Sequence, residues 1–252
     1  MKIFAEMEKM GHEQIVFCQD RTAGLKAIIA IHDTTLGPAL GGCRMWNYAD
    51  EDQAIIDALR LSKGMTYKSG AAGENYGGGK SVIFGDPKEK SEELFRAFGR
   101  FVAGLKGRFV TGTDVGTSFE DFIWAAKEGP YFMALPEQFG GSGDSSIITA
   151  FGTWRGIKAT AKEAFGTDRL EGLHIAVQGL GKVGKHLVEH LHQEGARVTV
   201  TDINEDNIRA VAERFPVKPV TPEGIYDVEC DIFSPNALGA VLNDNTIPRL
   251  RC

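Results

Sequence analysis

Apolar and polar positions change their period along the chain, and each period predicts an element. Residues 1–10 read as a short helix. Glu13 to Cys18 and Leu25 to His32 read as strands, with Thr22-Ala23-Gly24 as a turn signal between them, so an antiparallel pair is expected. Leu36 to Arg44 is a Gly/Pro loop. From Asp50 to Lys63 the pattern turns helical, with Ile55, Ala58, Leu59 and Ser62 along one face. Ser81-Val82-Ile83-Phe84 is a short buried strand. A second helix spans about 90–105, with Leu94, Phe98, Phe101 and Val102 on one side, and Arg108 to Thr111 is a short strand. Thr117 and Glu120 have capping-box spacing for a further helix. The polar, glycine-rich stretch Gly140 to Ser146 reads as a linker. Beyond it come a helix over about 146–165, a strand over 174–178, a helix through 185–191, a strand over 197–201, and a later strand within Asp231 to Ala237 whose terminal loop borders a ligand cleft. The expected fold class is α/β, in two domains: 1–140, and 146–252 with a Rossmann-type parallel sheet.

Composition narrows the function classes. A chain of 252 residues holds one large or two ordinary domains, and 42% apolar with 25% charged residues suits a water-soluble globular protein. A net charge of −6 and the lack of a Lys/Arg-rich run argue against a nucleic-acid partner. Cys18, Cys43, Cys230 and Cys252 form no C-x-x-C pair, which suggests reduced thiols and a cytoplasmic setting. Acidic residues stand where a signal peptide has its apolar stretch, and no apolar run approaches the roughly 20 residues that span a membrane.

The first candidate chemistry lies between Gly64 and Lys80. Lys68 and Lys80 are separated by small residues, and Lys80 follows Gly77-Gly78-Gly79 at the entrance to the Ser81–Phe84 strand. Three glycines remove side-chain bulk, so a ligand can approach the backbone there. Two lysines in a partly dry cleft disfavour each other's charge, so one can serve as a general base while the other holds an anion. The competing reading is a glycine turn with two solvated lysines. Asp114, in Thr113-Asp114-Val115-Gly116-Thr117, has two readings as well: an Asx-turn, or a carboxylate at the carboxyl end of a strand, where α/β sheets gather ligands.

The second candidate is more specific. Strand His174–Gln178 runs directly into Gly179-Leu180-Gly181-Lys182-Val183-Gly184, a helical stretch follows, and Asp202 closes the next strand. This is the strand–GxGxxG–helix–strand–acid context of a dinucleotide site. The glycines let the backbone reach a pyrophosphate, and the helix N-terminus offers free N–H groups. Asp202 accepts ribose hydroxyls and repels a 2′-phosphate, and Ile203-Asn204-Glu205-Asp206 adds no arginine, which favours NAD over NADP. His186-Leu187-Val188-Glu189-His190 matches an H-x-x-E-H zinc pattern, but no third ligand is evident and no metal is expected.

Together these motifs give the chain a family likeness. It resembles the NAD(P)-dependent glutamate, leucine, phenylalanine and valine dehydrogenases, the leucine-acting branch most nearly. The likeness is densest in Ile31 to Gly42, Gly64 to Lys80, Thr113 to Thr117 and Val177 to Gly184, in the family's order. It implies that residues 1–140 bind substrate and assemble a homo-oligomer, and that residues 146–252 bind NAD. It further implies that Lys80 activates water against an imine, Lys68 pairs with the substrate carboxylate, and Asp114 takes part in proton transfer at the amino nitrogen. Leu40, Gly41 and Met65 would line the side-chain pocket. Thr149 would touch the nicotinamide end, and Gly179 to Gly184 with Asp202 would hold the rest of NAD. The implied reaction is reversible oxidative deamination of an L-amino acid to its 2-oxo acid and ammonia. An apolar Leu40 disfavours a second carboxylate and points to a branched-chain substrate, with phenylalanine as an alternative.

Family members continue beyond the point matched by Cys252, with a strand, an asparagine-rich turn and helices that complete the pocket. The sequence therefore reads as a C-terminally truncated member whose Rossmann domain is incomplete. Three expectations follow: a dehydrogenase, a non-catalytic NAD-binding remnant of one, or an interaction subunit completed by another chain.

Overall fold

The computed structural model describes every residue except Ala134 and Ser142. The chain divides into two compact units, Met1–Gly143 and Asp144–Cys252. The division falls within the Gly140–Ser146 stretch, of which Ser142 lies outside the described residues.

The strands of the first unit are β1 (Gln14–Asp20), β2 (Leu25–Asp33), β3 (Ala39–Leu40), β4 (Cys43–Trp46), β5 (Gly77–Phe84) and β6 (Phe109–Val110). They form one mixed sheet in the order β1-β2-β5-β3-β6, with β4 also paired to β5. The pairs β1/β2 and β2/β5 are antiparallel, while β3 and β4 run parallel to β5. Its helices are α1 (Ile3–Met10), α2 (Glu51–Ala72), α3 (Glu92–Gly104) and α4 (Phe119–Ala126).

Side chains alternate across a strand, so the buried strands β2 and β5 feed two cores. Ile28, Ala30 and Val82 meet Ala54, Ile55, Ala58 and Leu59 of α2. Ile29, Ile31 and Ile83 meet Phe95 and Phe98 of α3, Phe122 of α4, and Phe109. Each of these fully buried aromatic side chains contributes roughly 1.5–3 kcal/mol by leaving water.

The sequence expectation differs from the structure at three places here. The helix expected to stop at Lys63 runs on to Ala72, through Gly64 and Gly70, and ends where Gly73 turns left-handed at φ 72°. The reason is tertiary: Ser62 and Thr66 lie directly over Gly78, and that packing outweighs the roughly 1 kcal/mol each glycine costs a helix. The Gly/Pro loop of residues 36–44 holds the short strand β3 and the start of β4, both too brief to show a period. The glycines before Lys80 lie inside β5, so Lys80 sits mid-strand. Their missing side chains make room for the protein itself: a Cβ on Gly78 would meet α2, and one on Gly79 would sit 2.6 Å from the Phe109 ring.

Two buried histidines join α1, β2 and α2. His12 Nε2 is 3.0 Å from the Leu59 carbonyl and 2.9 Å from Ser62 Oγ. His32 bridges Thr66 Oγ1 at 2.8 Å and the Met10 carbonyl at 3.0 Å. Burial first, then the charges of His32 and Lys63, outweigh the Leu59 carbonyl and lower the His12 pKa from 6.5 to about 4. The folded chain therefore resists a proton that the unfolded chain accepts. This stability is whole above pH 6.5 and is lost as pH falls from 6.5 towards 4. Urea unfolding followed against pH should show the first unit losing on the order of 2–3 kcal/mol across that window. A His12→Gln variant should flatten the slope; an unchanged slope would exclude His12 as its source.

The second unit is a four-stranded sheet of β7 (His174–Gln178), β8 (Arg197–Thr201), β9 (Val217–Pro219) and β10 (Ile232–Pro235), in the order β10-β7-β8-β9. Every pair in it is parallel. Helices α5 (Ser145–Phe165), α6 (Lys182–Gln193) and α7 (Glu205–Ala212) accompany it. In chain order the strands lie 3-2-1-4, which is part of the doubly wound plan and puts its topological switch point between β7 and β10. β7 and β8 coincide with the expected strands; α7 and β9 had no counterpart in the sequence reading.

Candidate active site

In the first unit, β5 positions Lys80. Gly78 and Val82 face α2, so Lys80, at the same parity, faces α2 as well; it is only 6% exposed. Its ammonium donates to Asp114 Oδ2 in a close ion pair. Asp114 follows β6 and the parallel bridge between Thr113 and Cys43, at the carboxyl end of the sheet. The loop is fixed from below: the Asp114 N–H donates to Thr117 Oγ1 at 2.8 Å, and the Thr117 hydroxyl reaches the Cys43 carbonyl at 3.0 Å. That use of Thr117 explains why it does not cap α4; Ser118 does, with its N–H donating to Asp121 at 2.7 Å. The Asp114 side chain is thus engaged by Lys80.

Burial pushes the Asp114 carboxyl upward. The charge and hydrogen bond of Lys80, the charge of Arg44 and the Val115 N–H outweigh that, and its pKa lies below the usual carboxylate value. Burial raises the neighbouring Cys43 thiol to about 12, so it stays protonated and is no nucleophile.

Leu40 and Gly41 lie next to this pair. Leu40 is half-buried in β3, between Gly78 of β5 and Val110 of β6. Gly41 is pressed against the Gly79 carbonyl, leaving no room for a Cβ. A Cβ on Gly42 would sit 2.9 Å from Asp114 Cβ, so that glycine admits the carboxylate to the site. Met65 and Lys68, three residues apart on α2, share one stripe of the helix. Lys68 is exposed, two residues beyond the Thr66 that covers Gly78, and makes no ion pair or side-chain hydrogen bond among the described residues. The charged partner of Lys80 is the Asp114 carboxylate.

Sequence reasoning missed Arg44, Asp57 and Tyr48. Arg44 Nη1 donates to Asp57 Oδ2 at 2.8 Å, and its Nε lies 3.5 Å from Asp114 Oδ2. The Tyr48 hydroxyl donates to the same Asp57 oxygen at 2.6 Å. The only sequence signal was indirect: Arg44 follows Gly41-Gly42, and Asp57 is an acid between the core positions of α2.

In the second unit the glycine loop joins β7 to α6. Gly179 has φ 95°, and a Cβ there would sit 2.7 Å from Ala237 N, just past β10 at the switch point. Gly184 packs against the Gly179 carbonyl, which seats the first turn of α6 on the loop. Gly181 is the N-cap, with open space beside it and no side chain to occupy the first N–H groups of the helix. Asp202 directly follows β8 and accepts from the Leu180 N–H at 2.6 Å and the Asn204 N–H at 2.8 Å. Each carboxylate oxygen retains a second lone pair for a hydroxyl. These residues fit a pyrophosphate and a ribose.

Thr149 lies apart from the glycine loop's hydrogen bonds. It is exposed on α5, and its hydroxyl donates to the Ser145 carbonyl at 2.7 Å. His190 stacks on Trp154 at 5.3 Å and packs α6 against α5, and Glu189 lies 3.7 Å from Arg214. Among the described residues no group of three or more His, Cys, Asp or Glu could hold a metal ion, and no helix is long and apolar enough to cross a membrane.

Known proteins place this geometry in context. The Glu/Leu/Phe/Val dehydrogenase dimerisation domain matches residues 12–131, and the Glutamate/Leucine/Phenylalanine/Valine dehydrogenase domain matches residues 140–205. The chain is 58% identical over 253 residues to a leucine dehydrogenase of Thermoactinomyces intermedius, covering 100% of this chain and 69% of that one. A phenylalanine dehydrogenase of the same organism is 53% identical over 253 residues, covering 99% of this chain and 69% of that protein. The crystal structure of L-tryptophan dehydrogenase from Nostoc punctiforme matches with a TM-score of 0.73 and 44% identity, over 99% of this chain and 71% of that one.

Proposed function

The chain belongs to the Glu/Leu/Phe/Val dehydrogenase family, and we propose that it is an amino-acid dehydrogenase that oxidatively deaminates a branched-chain L-amino acid with NAD. The observation that carries this reading is the buried Lys80–Asp114 pair, with Arg44 beside it, in a unit whose neighbour in sequence bears a complete dinucleotide fingerprint. The exposed Lys68 ammonium would take the substrate carboxylate, and Asp114 the proton from the amino nitrogen. NAD, when bound, accepts the hydride that leaves Cα. Lys80 would then remove a proton from the water that attacks the resulting imine carbon. The adduct nitrogen takes a proton back from the Lys80 ammonium, the C–N bond breaks and ammonia leaves, while the hydroxyl proton passes to the Lys80 amine so freed and the carbonyl of the 2-oxo acid forms.

Leu40, half-buried in β3, and Met65 on the Lys68 stripe of α2 support an apolar pocket. A glutamate side chain would bury a carboxylate without a cation there. One apolar side chain against another is worth only about 1–3 kcal/mol, so leucine and phenylalanine differ by degree. Asp202 supports NAD, since it would oppose a 2′-phosphate. Three further parts complete the reading. Residues 1–140 are the substrate-binding and self-associating part, consistent with the dimerisation-domain match. Residues 146–252 carry the cofactor, with Thr149 towards its nicotinamide end. Four free cysteines suit a reducing, cytoplasmic compartment.

NADH formation, followed by absorbance, tests the proposal. L-leucine or L-valine with NAD should give turnover, with at least tenfold lower kcat/KM for L-glutamate and for NADP. NAD binding without turnover on any amino acid would select a non-catalytic binding module.

A further inference from the structure

Arg44 is held more firmly than a surface arginine and satisfied less completely than a structural one. Its Nη1 is clamped by Asp57, which also accepts the Tyr48 hydroxyl. Its Nε is buried, lacks a hydrogen bond, and lies 3.5 Å from Asp114 Oδ2. An arginine that served only to tie β4 to α2 would have no reason to leave a buried N–H unpartnered beside the carboxylate. Arg44 is in register with Val82 across β4 and β5, and Lys80 is one side-chain repeat away on the same face. Both cations therefore approach one carboxylate oxygen, Lys80 in contact and Arg44 slightly beyond it.

We propose that Arg44 is a positioning residue for the Lys80–Asp114 pair: clamped by Asp57 and Tyr48, it holds Nε–H in reserve as the donor that takes over the Asp114 carboxylate once Lys80 has given its proton up to solvent and its free amine turns to the substrate. The inference rests on the reading of Lys80 and Asp114 as the reacting pair. Its chemistry is simple. Lys80 cannot act as a base while its ammonium is bound to Asp114, and on leaving it would abandon a partly desolvated carboxylate. A guanidinium never gives up its proton under these conditions, so Arg44 keeps a cation at Asp114 throughout. The titratable groups around Asp114 are Lys80 on β5 and Arg44 with the protonated Cys43 on β4. Behind Arg44 stand Asp57 on α2 and Tyr48, whose hydroxyl is kept protonated by burial and by the Asp57 carboxylate.

Two readouts test this. Carbon NMR of aspartate carboxyls, assigned with Asp114→Asn, should show Asp114 titrating roughly one pH unit higher in Arg44→Gln than in the parent. Arg44→Lys, which keeps the charge but lacks Nε, should fall between them. In turnover, Arg44→Lys should lose about tenfold or more in kcat, with NAD affinity unchanged and the acidic limb of the pH profile moved upward. If Arg44→Gln does not fold, Arg44→Lys and the milder Tyr48→Phe carry the test. Unchanged Asp114 titration and an unchanged pH profile in the folded variants would overturn the inference and leave Arg44 a structural tie. A parent protein that binds NAD but turns over no amino acid would sink the functional reading alone, and the carboxyl titration would still decide this one.

Discussion

Replacing Lys80 with alanine is expected to lower kcat about a thousandfold or more and to leave NAD binding within a factor of two. A positioned acid or base contributes roughly 10²–10⁴ to rate, and Lys80 is the buried amine at this site. The substitution also orphans Asp114. With the Lys80 charge gone, only Arg44 and the Val115 N–H oppose the effect of burial, so the carboxyl pKa should rise. Breaking a buried pair costs about 3–5 kcal/mol, but the Asp114 side chain is 25% exposed and keeps Arg44 nearby, so on the order of 2 kcal/mol is expected here. Loss of activity alone would not separate the charge of Lys80 from its basicity. Lys80→Arg does, because it preserves the cation for Asp114 and cannot act as a base. It should be as inactive as Lys80→Ala while more stable. A Lys80→Arg variant with more than a tenth of the parent kcat would show that Lys80 is only a counter-ion, and the proposed water activation would have to be abandoned.

The two candidate sites were legible in the sequence to very different degrees. The glycine loop of the second unit is a local device: strand, turn and helix follow one another from His174 to Gln193, so spacing alone places its parts. Asp202 is equally local, one residue beyond β8. The pair in the first unit is not. Lys80 and Asp114 are brought together by β3, a two-residue strand pairing with both β5 and β6, and nothing so short carries a period. Arg44 was hidden for the same reason, since β4 begins in what reads as the end of a Gly/Pro loop. The glycines before Lys80 were read as space for a ligand because a sequence cannot say what fills the space; α2 and Phe109 fill it. Thr117 has the spacing of a cap but spends its hydroxyl on the Asp114 loop, a choice set by the distant Cys43 carbonyl. Local chemistry is readable from local sequence, whereas an ion pair formed by sheet topology needs the sheet.

Replacing Gly184 with alanine should weaken NAD binding a hundredfold or more and also lower the stability of the second unit. An added Cβ would be driven into the Gly179 carbonyl, a backbone atom fixed by the Gly179 N–H donating to the Thr201 carbonyl at 2.8 Å. Neither partner is a flexible side chain, so α6 must lift from the loop. Overpacking of this kind costs about 1–3 kcal/mol. The lift also turns the first N–H groups of α6 away from the pyrophosphate, and each factor of ten in affinity is about 1.4 kcal/mol. Gly181→Ala is the informative contrast. Its Cβ would enter open space, so the folded protein should keep its thermal midpoint, yet that space is where the phosphates would approach. Calorimetry of NAD binding alongside thermal unfolding should therefore find affinity and stability both reduced in Gly184→Ala, and affinity alone reduced in Gly181→Ala. If Gly181→Ala binds NAD as the parent does, the cofactor's phosphates do not lie over the start of α6, and the nucleotide site must be sought elsewhere in the unit.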